Sequence, residues 1–265
     1  FRDIANVFKR PLPLILMFLV LHILIPVTAY GVGLLFFPEN INYITGIVLE
    51  FSVPVAVISL MWVSIYNGNN PLSLSLVILD TILSPFLIPA TLKILVGSNI
   101  KMDTAGMMKE LVFMIALPAV IAMCLNEFSH GKVMETWPKK LAPFSKMCLI
   151  FVVTSNSSKV SPYIKHLNGE RLAVTTIILV LSASGYAIGW LIAIVTKQNK
   201  ESTVSMIYGS GMRNISAGAV IAGAYFPAEC LFPVMIGTLF QQILAAFYGS
   251  LVRRVQMSQC KKEDI

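Results

Sequence analysis

The chain has 265 residues, of which 56% are hydrophobic and 12% are charged, and its mean hydropathy is +0.78. This composition excludes a soluble globular domain of this size and indicates an integral membrane protein. The net charge of +7 does not indicate nucleic-acid binding, because the basic residues stand in short segments between apolar stretches, where they set membrane orientation. The four cysteines have neither metal-site nor redox spacing.

Eight apolar stretches of membrane-spanning length follow a basic lead-in at residues 1–10. The predicted spans are residues 11–37, 43–66, 71–96, 105–128, 146–158, 171–196, 202–225 and 230–252, and a charged tail at residues 253–265 ends the chain. Most of the 20 Lys and Arg residues fall in the connecting segments on the side of Arg2. This asymmetry predicts a multi-pass protein of the cell membrane with both ends of this chain in the cytosol.

Two of the eight spans are predicted to be interrupted near their middle. Ser52-Val53-Pro54 divides the second span, where the proline removes one backbone hydrogen bond and crowds another. Gly209-Ser210-Gly211 divides the seventh span. Each interrupted span is followed by a short turn with a proline and by a full-length span, and the two units have opposite orientations. Inverted repeats with discontinuous helices are typical of secondary transporters whose site lies near the bilayer midplane.

Arg213 places a charge in the middle of the seventh span. A guanidinium at that depth costs at least about 2.5–3.5 kcal/mol, so it is kept where it faces a partner, a cavity or a substrate. The alternative interpretation is a structural ion pair that holds two helices together. The sequence contains no nucleophile–base pair, zinc-protease motif or phosphate-binding loop, so an enzyme is not expected.

The interrupted regions resemble those of the bile acid:sodium symporter family. The motifs that carry the resemblance are Gly211-Met212-Arg213-Asn214, Tyr225-Phe226-Pro227, Leu239-Phe240-Gln241-Gln242, Ser52-Val53-Pro54, Ser59, Gly68-Asn69, Leu72-Ser73 and Leu83-Ser84-Pro85, and it extends over residues 11–254. It implies an all-α fold of two inverted repeats, in which a panel domain packs on a core domain with two crossed, broken helices. That family has ten helices, so this chain is expected to lack the first two.

The resemblance also implies an assignment of segments to these domains. Residues 1–37 are expected to belong to the panel, residues 43–128 to the core helices of the first repeat, and residues 146–196 to spans of the second repeat in panel and core. Residues 202–252 are expected to form the second crossing region of the core, with the broken helix at residues 209–214.

The family's two sodium sites are only partly matched. Ser59 and Ser73 stand at serine positions of these sites, whereas Gly209 replaces the usual Glu and Arg213 the usual Gln. Three further donor positions hold apolar residues, namely Leu21, Leu60 and Val77. Because sodium needs several hard oxygen ligands, coupling to sodium is in doubt, no metal site is predicted, and a proton is the alternative coupling ion.

Asp80 is the predicted partner of Arg213. Ser73, Val77, Asp80 and Ser84 are spaced by 4, 3 and 4 residues, which places them on one helix face. The hypothesis is that this face meets the crossing, so that a tethered Asp80–Arg213 pair replaces the sodium sites. Glu50 is the competing partner, and a permanent structural pair is the alternative.

His22 is a candidate proton carrier, because imidazole titrates near neutral pH; a packing role is the alternative. The full set of candidates for cation or proton coupling is Asp80, Ser73, Ser59, Gly209, Met212, Arg213, Glu50 and His22. The candidates for substrate binding are Arg213, Asn214, Ser59, Pro54 and Ser210.

The predicted function is secondary transport of a small organic anion across the membrane, without a bound cofactor and with the lipid bilayer as the other partner. The alternative is a membrane sensor or scaffold that keeps the fold without transport. The identity of the anion and the oligomeric state stay open at this point.

Overall fold

The computed structural model describes residues 11–97, 103–129 and 168–263, together with scattered positions between 131 and 165, and its side-chain detail extends to Val255. In the three continuous ranges the chain is helical between short turns. The helices are α1 (Leu12–Phe36), α2 (Ile41–Ser52), α3 (Ser59–Ile65), α4 (Asn70–Leu95), α5 (Thr104–Phe128), α6 (Gly169–Val195), α7 (Lys200–Gly211), α8 (Ile215–Tyr225) and α9 (Ala228–Glu263). The lead-in at residues 1–10 and most of the predicted span 146–158 lie outside the described residues.

Asparagine and aspartate side chains mark where most of these helices begin. Each of these residues precedes a helix, and its side-chain oxygen accepts the backbone N–H three residues later, which satisfies one of the unpaired donors of the first turn. The capping residues are Asn40, Asn69, Asp103, Asn168, Asn199 and Asn214. The helix starts are therefore encoded locally, and they agree with the predicted spans within a few residues.

Prolines in two of the long helices are preceded by π-helical turns. A π-helical turn at Val20–Leu24 precedes Pro26 in α1, and a second one at Val112–Ala116 precedes Pro118 in α5. A wider turn takes up the hydrogen bond that a proline cannot donate, so both helices continue. The π-helical turn that precedes Pro26 contains His22.

The two predicted interruptions are present, and the second lies in the last part of the expected range 209–214, after the glycines that were expected to cause it. The chain leaves helix α2 after Ser52 and resumes in α3 at Ser59, as Pro54 predicts. Gly209 and Gly211, which were expected to break the seventh span, are helical residues of α7, and the break falls at residues 212–214.

Close packing explains these glycines better than backbone freedom does. A Cβ at Gly211 would overlap the ring of Tyr186 on α6, and one at Gly209 would lie 2.6 Å from Sδ of Met17 on α1. Gly189 of α6 approaches α7 in the same way, since its Cβ would lie 2.8 Å from Cβ of Ser210. Small residues let membrane helices approach closely, and here they bring α6 and α7 together beside the break.

The outer surface is apolar, as a bilayer requires. Leu35, Ile94, Phe128 and Val195 are 74%, 79%, 82% and 70% exposed. Within the described residues, α1, α4, α5, α6 and the segment Ala228–Val255 of α9 are long and apolar enough to cross a membrane. The all-helical membrane fold is confirmed, whereas the count of eight crossings stays a prediction.

The two interrupted regions share one order of elements. Half-helices α2 and α3 are followed by the long helix α4, and half-helices α7 and α8 are followed by the long helix α9. Helices α2, α8 and α9 pack on one another, and their buried side chains join those of α1 and α6 in one core cluster. The opposite membrane orientation of the two units, and with it the inverted repeat, stays a prediction.

We expect Gly211→Ala to lower the melting temperature of the detergent-solubilised protein. The added methyl group would overlap the rigid Tyr186 ring, and overpacking of this kind costs about 1–3 kcal/mol. Gly31→Ala in α1 is the matched control, because a Cβ there has no atom within 4 Å. Equal melting temperatures for both variants would contradict the packing role of Gly211.

Candidate functional site

The breaks of the two interrupted helices lie against each other, and we call this contact, formed by residues 53–58 and 212–214, the helix crossing. Val55 and Arg213 form an antiparallel β-bridge. The backbone N–H of Asn214 donates to the carbonyl of Pro54 at 2.7 Å, and that of Ala56 donates to the carbonyl of Met212 at 3.4 Å. Each break thus supplies backbone partners to the other, as non-helical backbone at membrane depth requires.

Four helix ends meet at the crossing. Helices α2 and α7 end there with their carbonyl groups, and α3 and α8 begin there with their N–H groups. Ends of this kind carry partial charges that attract cations and anions respectively. Asn214 caps α8 by accepting the N–H of Ala217 at 3.3 Å. The crossing therefore presents both signs of partial charge within one small region.

Arg213 is held at the crossing from both its backbone and its side chain. The residue is only 3% exposed. Its backbone N–H donates to Oε1 of Gln241 at 2.8 Å, and its Nη1 donates to the carbonyl of Ser210 at 2.9 Å, at the negative end of α7. Its Nε is buried without a hydrogen-bond partner. The guanidinium thus retains donor capacity for a further group.

A cavity of about 340 Å³ opens beside the crossing, and we call it the crossing cavity. Its wall contains Arg213, several neutral polar residues and several aliphatic ones. The lining residues are Ala56, Val57, Ile58, Arg213, Asn214, Ile215, Ser216, Ala219, Met235, Thr238, Gln241 and Gln242. A mostly apolar pocket with a few polar groups is the usual form of a small-molecule site.

The direct pair between Asp80 and Arg213 predicted from the sequence is not observed. Asp80 is fully buried; its Oδ1 lies 2.7 Å from Nε2 of His22, and its Oδ2 accepts the backbone N–H of Val55 at 2.6 Å. Arg213 has neither Asp80 nor Glu50 within 4 Å as an ion-pair partner, although the carboxylate of Asp80 attracts it electrostatically. Asp80 reaches the crossing as expected, but it contacts the break of the other helix.

The rest of the face predicted on α4 behaves as the spacing indicates. Ser73, Val77, Asp80 and Ser84 are all at least 94% buried. Ser84 donates to the carbonyl of Thr81, whereas Oγ of Ser73 has no hydrogen-bond partner. The periodicity identified the buried face correctly, but it gave no information on which groups that face contacts.

Glu50 is the second buried carboxylate near Arg213. It is 1% exposed, and its Oε2 has no hydrogen-bond partner. Its carboxyl group packs so closely against Gly237 of α9 that a Cβ at position 237 would overlap it. Glu50 is therefore enclosed between α2 and α9, next to Ile215 on the wall of the crossing cavity.

The positions that resemble sodium sites do not fit sodium in this chain. At Gly209 a Cβ would lie 2.6 Å from Sδ of Met17 and 2.9 Å from Cδ2 of Leu76, so a thioether and a methyl group fill the place of a carboxylate. Leu21 is fully buried and apolar. Ser59 and Ser73 are buried at the two matching serine positions. Two hydroxyls surrounded by apolar groups are a poor set of ligands for a hard cation.

Several residues of this site were not identified from the sequence. Gln241 holds the backbone of Arg213, and Gln242 accepts a hydrogen bond from Nε1 of Trp62 at 2.9 Å at the wall of the cavity. The available signal was a pair of adjacent amides within an apolar span, which was used only as a family motif. These two glutamines of α9 were not identified because neither carries a charge that would single it out within an apolar span.

Comparisons with known proteins agree with this architecture. The family model described as "Sodium Bile acid symporter family" matches residues 1–167. The chain is also 40% identical over 257 residues to the uncharacterized protein YbaS of Bacillus subtilis, with 97% of this chain and 84% of that protein covered.

The chain belongs to the sodium bile acid symporter family. Other relatives of this symporter-family chain are more distant. It is 24% identical to the "probable sodium/metabolite cotransporter BASS3, chloroplastic" of Arabidopsis thaliana, over 94% of this chain and 58% of that protein. It is 20% identical to the "uncharacterized sodium-dependent transporter YocS" of Bacillus subtilis, over 96% of this chain and 79% of that protein.

Membership in the symporter family confirms the resemblance drawn from the motifs. It makes the chain a multi-pass membrane transporter of a small molecule rather than an enzyme. The predicted site residues Pro54, Ser210, Met212, Arg213 and Asn214 all lie at the crossing or on the turn beside it.

We expect Asp80→Asn to destabilise the fold of this symporter-family protein. The amide can accept a hydrogen bond at only one of the two positions where Asp80 accepts, so either His22 or the backbone N–H of Val55 loses its acceptor, and a buried donor without a partner costs about 1–3 kcal/mol. Asp103→Asn is the control, because Asp103 is exposed and asparagine caps a helix equally well. Thermal melts in detergent compare the two, and an equal loss of stability in both would contradict the role assigned to Asp80.

Proposed function

We propose that this protein is a secondary transporter of a small organic anion, with the crossing cavity as the substrate site and Arg213 as the anion partner. The observation that carries the proposal is a buried arginine that lines a cavity where two interrupted helices meet. A charge at this depth is kept where it faces a substrate or a partner.

The surroundings of Arg213 favour an anion over a cation or a neutral solute. Helix α8 begins at the cavity with Ile215 and Ser216, so the positive end of its dipole faces the same space as the guanidinium. Asn214, Thr238 and Gln241 add neutral polar groups on the wall. A carboxylate bound to Arg213, with a hydroxyl or carbonyl group near the amides, would satisfy these groups together.

The size of the cavity favours small carboxylates over bulky conjugates. Its volume of about 340 Å³ lies at the lower end of the range of small-molecule sites, about 300–1,000 Å³. Small oxo or hydroxy acids therefore fit better than a steroid conjugate. The names of the relatives give a metabolite as the cargo of the Arabidopsis protein, which agrees with a small substrate.

We further propose that transport does not depend on sodium. The place of a carboxylate ligand beside Gly209 is filled by Met17 and Leu76, and Nη1 of Arg213 donates to the carbonyl of Ser210 at the negative end of α7. A tethered guanidinium would thereby supply the positive charge that sodium supplies in relatives with intact sites. The distribution of basic residues supports an orientation with both ends of this chain in the cytosol.

Arg213→Gln is expected to reduce uptake of the transported carboxylate at least about tenfold, because a charge-assisted hydrogen bond to the substrate is lost. Arg213→Lys keeps the positive charge without the planar fork and is expected to retain part of the activity. Uptake of radiolabelled pyruvate, 2-oxoisovalerate and pantoate into proteoliposomes measures the effect. A glutamine variant that folds and transports like the wild type would contradict the assignment of Arg213.

Replacement of external sodium by choline is expected to leave the uptake rate unchanged within about twofold, since apolar groups fill the place of a carboxylate ligand beside Gly209. The melting temperature should likewise be the same in sodium chloride and choline chloride, because a specifically bound ion would stabilise the folded state. A several-fold stimulation by a sodium gradient would refute sodium independence. Binding of these acids without uptake would instead support a sensor.

A further inference from the structure

We propose that the protein carries one proton with each monovalent carboxylate, and that this proton binds Nδ1 of His22. The inference rests on the proposed anion transport and names its coupling ion and the atom that binds it. It starts from four ionisable side chains that are buried together in the part of the chain that the structure describes. This set, the buried charge cluster, consists of His22, Glu50, Asp80 and Arg213.

Two members of the cluster are fixed ions whose charges cancel. The carboxylate of Asp80 accepts hydrogen bonds at both oxygens, from His22 and from the backbone of Val55, and hydrogen bonds of this kind favour the charged form. Arg213 is always protonated, and it donates to the carbonyl of Ser210. Together they contribute no net charge.

Glu50 is the neutral acid of the resting cluster. Its Oε2 is buried without any hydrogen-bond donor, so an ionised carboxylate would leave this oxygen without a partner and away from water. A bound proton removes that charge. The empty carrier then holds one resident proton on Glu50 and a neutral imidazole at His22, and the cluster has no net charge.

The hydrogen of the neutral imidazole lies on Nε2. Asp80 can only accept a hydrogen bond when it is ionised, and its Oδ1 is 2.7 Å from Nε2. The other ring nitrogen, Nδ1, is then a basic acceptor, and it is buried without a partner. It is thus an unoccupied proton-binding position within the cluster.

A monovalent carboxylate that binds at Arg213 brings one uncompensated negative charge. Such a charge is strongly unfavourable in a buried site, so a cation must arrive with it. A proton from the water on the side of the substrate binds the lone pair of Nδ1, which forms an N–H bond as an O–H bond of hydronium breaks. The imidazolium stays hydrogen-bonded to Asp80, and the same proton leaves on the opposite side with the substrate.

The geometry connects this proton site to the substrate site through few atoms. Asp80 joins the imidazole to the backbone of Val55, and Val55 is paired with Arg213 across the crossing. His22 itself lies in the π-helical turn of α1, with the ring of Phe18 at 4.6 Å. Substrate binding at Arg213 and proton binding at His22 therefore both affect the contacts that join Asp80, Val55 and Arg213.

Several elements packed around the cluster each contribute one ionisable side chain. Helix α2 contributes Glu50, α4 contributes Asp80, and the break between α7 and α8 contributes Arg213. Helix α6 contributes Tyr186, which interacts with Arg213 and donates its hydroxyl to the carbonyl of Gln241 at 3.1 Å, so it is a neutral phenol. Among the described residues, His22 is the member that gains a positive charge by binding a proton.

The test measures proton and substrate movements together in proteoliposomes with a trapped pH-sensitive dye, using the acid among pyruvate, 2-oxoisovalerate and pantoate that is taken up fastest. Wild-type protein is expected to move one proton per anion. Its uptake should increase with an inward proton gradient and should not respond to a membrane potential set with potassium and valinomycin, because the joint movement is electroneutral.

Two substitutions separate the roles of the two acceptors. His22→Gln is expected to abolish proton movement and to make any remaining uptake respond to an inside-positive potential, since the anion then crosses alone. Glu50→Gln is expected to keep the ratio at one proton per anion, even at a lower rate, because the proton on Glu50 is resident. Glu39→Gln, at an exposed position remote from the cluster, is the control for titration at the surface.

The outcomes distinguish this inference from the proposed function. Absence of wild-type uptake under every condition would overturn both. Wild-type uptake without proton movement, or uptake driven by the membrane potential, would overturn the proton site alone. Because these measurements use the wild-type protein, they test the proton site even if the His22 variant does not fold. Proton movement in His22→Gln at the wild-type ratio would also overturn it.

Discussion

The structure depends on one constraint, the need to satisfy backbone polar groups where two helices are interrupted within an apolar environment. Unpaired N–H and C=O groups cost several kcal/mol each in hydrocarbon, so an isolated break would be strongly unfavourable. Here the breaks pair with each other through Pro54, Val55, Ala56, Met212 and Asn214. The crossing is therefore a single unit, and neither half-helix pair is complete without the other.

This mutual pairing determines where backbone groups can bind ions or a substrate. Because the breaks point their helix ends at one another, the crossing offers carbonyl groups to a cation and N–H groups to an anion. Arg213 places a tethered positive charge at the carbonyl end of α7, since its Nη1 donates to the carbonyl of Ser210. In the function that we propose, this fixed charge stands in for a mobile cation.

The buried carboxylates fill different roles although they lie near the same guanidinium. Asp80 is bonded at both oxygens and so stabilises the break at Val55, whereas Glu50 has a buried oxygen with no partner. Hydrogen bonding, and not distance from Arg213 alone, separates a fixed ion from a group that can hold a proton. The family relationship shows that the chain is a transporter, and these local contacts support our proposal that its transport does not depend on sodium.

Much of the fold could be predicted from residues that act locally. The length of the apolar stretches predicted the long membrane-spanning helices, and Pro54 predicted the first break. The spacing of residues along α4 predicted the buried helix face that contains Ser73 and Asp80. The second break was placed too early because Gly209 and Gly211 were interpreted as helix breakers. A glycine that breaks a helix and a glycine that lets a neighbouring helix approach look the same in a sequence, and only the ring of Tyr186 distinguishes them.

The sequence by itself determined that this is a multi-span membrane protein with a buried arginine between two interrupted helices, because hydropathy, proline and charge act over a few residues of chain. Only the tertiary structure decided that Asp80 pairs with His22, 58 residues away, and that Gln241 holds the backbone of Arg213. Such contacts depend on how each helix is rotated and packed against its neighbours, and no local pattern encodes that rotation.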